Sequence, residues 1–173
     1  CHPDEKGGGA RFAVWAPNAE AVSVVGDWNY WSGDADLLQP DPDGTGIWSG
    51  YVPNAAIGQT YKYRIRSRHG GYMVDKADPV AFAAELPPAT ASRICELSYQ
   101  WGDAGWMADR GRRNALDAPM SVYEVHLGSW RREDGHFLGY REIAHRLAAY
   151  ALEMGFTHVE LMPVTEHPFY GSW

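Results

Sequence analysis

Residues 11–31 read RFAVWAPNAEAVSVVGDWNYW, and this stretch decides the fold of the first half of the chain. Two short runs of β-branched, aromatic or alternating residues, 11–16 and 21–25, end at Pro17-Asn18 and Gly26-Asp27. Runs of this kind, separated by turn-forming residues every 8–12 positions or so, are typical of a β-sandwich. We therefore predict antiparallel strands here, and no amphipathic helix.

The same pattern continues to about residue 97. Within the run 61–66, Tyr and Ile alternate with Lys and Arg, which predicts a strand with one buried and one solvated face. Residues 68–71 predict a hairpin turn. The further strands are expected at 47–52, 72–74 and 91–94. The expected fold of the first half is an all-β immunoglobulin-like sandwich.

The second half of the chain follows a β-α-β pattern. We predict strands at 120–126 and 158–164 and, between them, a helix at 140–154 with apolar residues at helical spacing. Such a unit joins two parallel strands, and two parallel strands alone cannot form a domain. More strands are therefore expected after Trp173. The predicted organisation is a sandwich over 1–97, a polar connector without an apolar period over 98–119, and an incomplete barrel domain over 120–173.

Composition narrows the classes of function. The net charge is −7, from 15 Lys+Arg and 22 Asp+Glu, and this argues against nucleic acid or an anionic membrane as the partner. The start of the chain carries no signal-peptide pattern, and two cysteines, Cys1 and Cys95, do not make a disulfide scaffold. We expect a cytoplasmic protein. The seven histidines show no metal-ligand spacing, so neither a metal nor a cofactor is expected.

Several motifs, taken in their order and spacing, resemble one family of enzymes. The motifs are RFAVWAPNA at 11–19, VVGDWNYW at 24–31, YKY at 61–63, KADP at 76–79, YEVHLGSWRR at 123–132, GFTHVELMPV at 155–164, EHP at 166–168 and GSW at 171–173. The first four resemble the amino-terminal carbohydrate-binding module of glycogen branching enzymes. The others resemble the first two strands of the same enzymes' α-amylase-type (β/α)8 TIM barrel. Tyr170 departs from the family, which more often has Asp there.

The resemblance implies a glycosyltransferase that cleaves an α-1,4 glucan and reattaches the piece through an α-1,6 bond. Retaining chemistry of this type needs two carboxylates about 5 Å apart. The family carries them on later barrel strands, so no catalytic residue is assigned to this chain, and the chain alone is expected to be inactive. The implied partner is an α-glucan such as glycogen, and we expect a monomer.

Candidate substrate-binding residues fall in both halves. Trp31, Lys62 and Tyr72 match sugar-binding positions of related glycogen-binding modules, and an exposed ring beside an amine is a plausible glucan platform. The alternative is that Trp31 and Tyr72 pack against neighbouring elements. Trp28 is expected in the core.

The loop after the second parallel strand adds Glu166, His167 and Trp173, because barrel enzymes build their sites at the carboxyl ends of their strands. Glu124 and His126 alternate on the first parallel strand. For them we expect a buried, hydrogen-bonded pair rather than an acid and a base.

Two other readings stay open. One is a stand-alone glucan-binding module, which would retain glycogen binding without enzymatic activity. The other is a fragment of a related debranching enzyme, which would release sugar rather than transfer it.

Overall fold

The computed structural model describes residues 1–4 and 8–164. Contacts divide the chain into one unit from Cys1 to Tyr99 and a second that begins at Gln100. Within the described residues no helix has the length and apolar character needed to cross a membrane.

The first unit is built of two antiparallel sheets. One has the order β1-β2-β5-β4, and the other has the order β3-β6-β7 with β8 also paired to β6. The strands are β1 (His2–Pro3), β2 (Ala10–Trp15), β3 (Ala19–Gly26), β4 (Gln39–Pro40), β5 (Ile47–Val52), β6 (Thr60–Ser67), β7 (Met73–Lys76) and β8 (Ser92–Arg93). A 3-10 turn, Asp27–Asn29, follows β3. The predicted sandwich strands are confirmed to within a few residues, whereas β1 and β4 were not predicted.

Aromatic residues fill the core of the first unit. Phe12 of β2 and Tyr61 and Tyr63 of β6 are almost completely buried. The rings of Phe12 and Tyr61 meet edge to face at 5.0 Å, a geometry that the charge distribution of aromatic rings favours. Trp28 packs against the same core, as expected. Aromatic packing between the sheets therefore accounts for part of the chain's 13% aromatic content.

The strand β6 shows the predicted alternation. Tyr61 and Tyr63 are buried, whereas Lys62 and Arg64 are half-buried and Arg66 is exposed. Because side chains alternate across a strand, the three basic residues line the outer face of the sheet. That face is the one on which sugar-binding residues were predicted.

The second unit holds one parallel strand pair joined through a helix. β9 and β12 pair in parallel from Val122↔His158 to Val125↔Leu161, as the β-α-β pattern predicted. The described residues of this unit contain no closed barrel. Its elements are α1 (Ala104–Arg113), β9 (Val122–Val125), α2 (Leu127–Trp130), β10 (Arg132–Glu133), β11 (His136–Phe137), α3 (Tyr140–Glu153) and β12 (His158–Leu161).

Local chemistry explains where α3 begins and ends. The backbone N–H of Gly139 donates to the Glu142 carboxylate at 2.9 Å, which satisfies a free donor at the helix start. Ile143 and Leu147 are buried with Val125 of β9. Gly155 follows the helix with a φ of +79°, a conformation that favours glycine.

The predicted connector contains a helix, α1, that was not predicted. This helix has no buried residue. Its stability comes from local pairs: Asp109 accepts hydrogen bonds from Arg112 and Arg113, and the Arg110 guanidinium lies 5.9 Å from the centre of the Trp106 ring.

Candidate functional site

The loop between β3 and β4 is held in shape by a half-buried amide and a carboxylate. The Asn29 amide donates to the carbonyl of Val24 at 2.9 Å and to the Asp36 carboxylate at 2.6 Å. The same Asp36 oxygen accepts from the Trp28 indole at 2.9 Å, and the Asn29 oxygen accepts from the Gly26 N–H at 3.0 Å. These bonds tie the start of the loop to its end, so the residues between them are presented in a fixed position.

Trp31 lies in this loop with an unusual backbone. Tyr30 and Trp31 have φ angles of 53° and 61°, in the left-handed region that non-glycine residues rarely occupy. The N–H of Trp31 donates to the Gly26 carbonyl at 3.0 Å. Trp31 is half-buried, and Tyr30 is 93% exposed. Strain of this kind persists only where the surroundings impose it, and it clusters at ligand sites.

Lys62 lies at the same end of the sheet. It pairs with Val25, the residue before Gly26, so its backbone is close to the point where Trp31 is bonded. The Lys62 ammonium donates to the Thr90 hydroxyl at 2.7 Å. Sequence reasoning missed Thr90, since no pattern around it indicates a partner for a lysine 28 positions earlier. Trp31, Lys62 and Thr90 together place an aromatic ring, an ammonium and a hydroxyl at one end of the sheet.

Tyr72 does not join this group. Its carbonyl accepts the N–H of Ser67 at 2.8 Å, which puts Tyr72 opposite Ser67, five residues along β6 from Lys62. At about 3.3 Å per residue the separation is roughly 16 Å. The ladder extends to Arg66↔Met73, next to the turn at 68–71, so most of the length of the hairpin separates Tyr72 from Lys62. Tyr72 is 62% exposed and therefore accessible, though at the far end of the sheet.

Two carboxylates fix β6 beneath the candidate residues. Asp27 accepts from the backbone N–H of Thr60 at 2.6 Å and from its hydroxyl at 2.9 Å. Asp78 accepts from the Tyr61 hydroxyl at 2.6 Å. Burial raises the pKa of Tyr61, and the hydrogen bond to Asp78 raises it further, so the phenol remains a donor at every physiological pH.

Arg64, the next outward residue on β6, forms a two-pronged ion pair. Its Nε and Nη2 donate to the Asp75 carboxylate at 2.8 and 2.9 Å. These hydrogen bonds lower the pKa of Asp75 and raise that of Arg64. Sequence patterning placed Arg64 on the outer face but did not indicate its partner on β7.

The second unit differs from expectation at its first strand. Glu124 is exposed and adjacent to Glu160 of β12, and the His126 ring nitrogen Nδ1 lies 2.8 Å from the Ser129 hydroxyl. The expected buried Glu124–His126 pair is therefore not formed in the described residues, where the side chain of His126 contacts Ser129 in the turn into α2. Glu166, His167 and Trp173 lie outside the described residues, and their substrate contacts stay predictions. Over residues 1–4 and 8–164 no group of acidic, His or Cys side chains could hold a metal ion.

Comparison with known proteins matches residues 1–81 to carbohydrate-binding module 48, the isoamylase N-terminal domain. Over all 173 residues the chain is 71% identical to a 1,4-alpha-glucan branching enzyme of Albidiferax ferrireducens. It is 59% identical over 174 aligned positions, again the whole chain, to one of Aromatoleum aromaticum. The chain spans 28% and 27% of the lengths of these relatives.

Solved structures show the same fold at lower identity. The catalytic module of the glycogen-degrading pneumococcal virulence factor SpuA matches 97% of this chain and 27% of its own, with a TM-score of 0.66 and 19% identity. A putative alpha amylase from Salmonella typhimurium matches 96% of this chain and 25% of its own, with a TM-score of 0.64 and 24% identity. By sequence, the chain is similar along its whole length to the amino-terminal part of 1,4-alpha-glucan branching enzymes.

Proposed function

We propose that this chain is the glucan-binding, amino-terminal part of an enzyme that cleaves α-1,4-linked glucan and transfers the piece to form an α-1,6 branch. The support is sequence identity of 71% and 59% along the entire chain to branching enzymes. The motifs that match the family include neither of the carboxylates that retaining chemistry requires. We therefore assign the bond-breaking step to residues outside this chain.

The second unit fits the first β-α-β of a (β/α)8 barrel. β9 and β12 are parallel, and α3 packs its buried stripe against β9. Val122, Val159 and Leu161 remain 39–47% exposed on these strands. Parallel strands are usually covered on both faces, so these side chains favour further barrel strands and helices around the pair.

For the first unit we propose α-glucan binding at Trp31, Lys62 and Thr90. The observation that carries this proposal is the fixed, half-exposed Trp31 at the end of the sheet where the Lys62 ammonium meets the Thr90 hydroxyl. An indole ring covers the apolar C–H face of a pyranose, and the ammonium and hydroxyl bond its hydroxyl groups. A cytoplasmic location and a monomeric state stay predictions.

The binding test is affinity electrophoresis of the 173-residue chain in gels with and without glycogen. Trp31→Ala should abolish the retardation that glycogen causes. The matched control is Trp15→Ala, since Trp15 is 69% exposed on the other sheet and its indole is bonded to the Thr45 carbonyl. Retardation unchanged by Trp31→Ala but lost in Trp15→Ala would contradict the assigned site.

The enzyme test uses the protein that continues beyond Trp173. It should lower the absorbance and the wavelength maximum of the iodine–amylose complex while releasing little reducing sugar. Abundant reducing sugar would instead favour a debranching or hydrolytic enzyme. The 173-residue chain alone should change neither quantity.

A further inference from the structure

A cavity of about 370 Å³ lies on the outer face of the β3-β6-β7 sheet, under the loop that carries Trp31. Its size is within the range of small-ligand sites. Trp31 and Lys62 do not line this cavity. Arg64 does, and it is the next residue after Lys62 on β6 whose side chain lies on the outer face of the sheet. The lining that matters here is Ser23 of β3, Asp34 and Leu37 of the loop, Arg64 and Arg66 of β6, and Met73 of β7.

The polar groups in this cavity include both donors and acceptors. The Arg64 and Arg66 guanidiniums only donate, the Asp34 carboxylate only accepts, and the Ser23 hydroxyl does both. Arg66 Nε is 3.5 Å from Glu20, longer than a good hydrogen bond, so it has donor capacity to spare. Each hydroxyl group of a sugar can both donate and accept a hydrogen bond, so the donors and acceptors that line the cavity can both bind sugar hydroxyl groups.

Apolar side chains complete the walls. Leu37 and Met73 are 58% and 59% exposed, with Leu37 in the loop and Met73 on β7. Each offers aliphatic surface that the C–H groups of a pyranose ring can cover. The cavity thus combines the two kinds of contact, polar and apolar, that a sugar residue makes.

Charge argues against an anionic ligand. The two cationic groups, Arg64 and Arg66, are paired with Asp75 and Glu20, and Asp34 adds a third carboxylate beside them. The local charge is therefore not positive, and a phosphate group gains no net attraction here. A neutral, polyhydroxylated ligand fits this balance better.

The two walls of the cavity are held in place before any ligand binds. A Cβ at Gly33 would lie 2.7 Å from Arg64 Cδ, so the loop backbone packs directly on the arginine. Further along the loop, the Val24 N–H donates to the Asp36 carbonyl and the Leu38 N–H to the Val22 carbonyl, both at 2.9 Å. Pre-organised walls lower the entropy cost of binding.

We propose that this cavity is a second glucan subsite, which binds sugar units of the same chain that contacts Trp31 and Lys62. It lies between Lys62 and Tyr72 along β6, because Arg66 pairs with Met73, the neighbour of Tyr72. The subsite rests on the proposed glucan-binding function and extends it from a single contact point to a track along the sheet. It also explains how Tyr72, some 16 Å from Lys62, can contact a longer glucan.

The test compares a short and a long α-1,4 glucan on the 173-residue chain, with maltose and maltoheptaose as titrants in calorimetry. Arg66→Ala should weaken maltoheptaose binding about tenfold, since hydrogen bonds from a charged group are lost. The affinity of this variant for maltose should not change, because a disaccharide is short enough to bind at Trp31 and Lys62 without reaching the cavity. Asp34→Ala should show the same difference. Arg11→Ala, an exposed arginine on the other sheet, is the matched control and should alter neither affinity.

The possible outcomes distinguish failure of the proposed subsite from failure of the proposed glucan-binding function. If Trp31→Ala abolishes binding while Arg66→Ala and Asp34→Ala bind maltoheptaose normally, the subsite is refuted and the proposed function stands. If Arg66→Ala weakens the binding of maltose and maltoheptaose equally, the subsite is also refuted. Competition by inorganic phosphate would overturn the assignment to a neutral sugar. If the unaltered chain binds neither sugar, the proposed function fails as well.

Discussion

Gly33→Ala is the change for which the structure gives the sharpest expectation. The added methyl would lie 2.7 Å from Arg64 Cδ and 2.8 Å from its Nη1, and no other atom approaches within 3.4 Å. Carbon atoms in contact prefer about 3.5–4.0 Å, so the loop or the arginine must move by roughly 1 Å. Movement of Arg64 breaks its paired hydrogen bonds to Asp75.

The magnitude follows from how easily Arg64 can move. Arg64 is a flexible and partly exposed side chain that can swing away from the methyl, so the main cost is the loss of its ion pair with Asp75, about 0.2–1 kcal/mol. We expect Gly33→Ala to lower the free energy of unfolding by about 0.5–1 kcal/mol. The assay is urea unfolding followed by tryptophan fluorescence.

A double-mutant cycle isolates the cause. In an Arg64→Ala background the three atoms that lie nearest the methyl at residue 33 are removed, so Gly33→Ala should there cost little. The coupling between the two changes should be about 0.5 kcal/mol or more. Equal destabilisation by Gly33→Ala in both backgrounds would refute the packing of the loop on Arg64.

Three further predictions concern the first unit. Phe12→Ala should lower the free energy of unfolding by about 3–5 kcal/mol in the same assay, because Phe12 is fully buried; a loss under about 1 kcal/mol would contradict its place in the core. Tyr61→Phe should cost about 1–3 kcal/mol, since it removes the hydroxyl donor to the buried Asp78, and a neutral result would contradict that bond. The pKa of Asp75 is lowered by its hydrogen bonds from Arg64, so their stabilisation is complete above the usual value of 3.8 and is lost as pH falls through the lower, folded-state value. Unfolding measured from pH 6 to pH 2 should therefore show a loss that Arg64→Ala lacks, and identical pH profiles would count against the pair.

The strands could be predicted because their signals are local. Alternation between residues 61 and 66 placed Tyr61 and Tyr63 in the core and Lys62 outside, and this was confirmed. The helix α3 was equally visible, since Ile143, Leu147 and Ala151 share one buried face. In each case the period of apolar residues matches the period of the structure.

The features that sequence reasoning missed depend on pairing at a distance. Thr90 binds Lys62 across 28 positions, and Asp75 binds Arg64 across the hairpin. The position of Tyr72 depends on the register Arg66↔Met73, which follows from the length of the turn and not from composition. The helix α1 was not predicted; it has no buried residue, and its local contacts are exposed ion pairs around Asp109.

The most direct test of the account is a crystal structure of the 173-residue chain with maltoheptaose. The account predicts a sugar ring stacked on Trp31, a hydroxyl bonded to the Lys62 ammonium, and the next residues of the glucan over the cavity between Arg64 and Met73. A glucan bound on the opposite sheet at Trp15 and Tyr51, with the Trp31 surface empty, would contradict it.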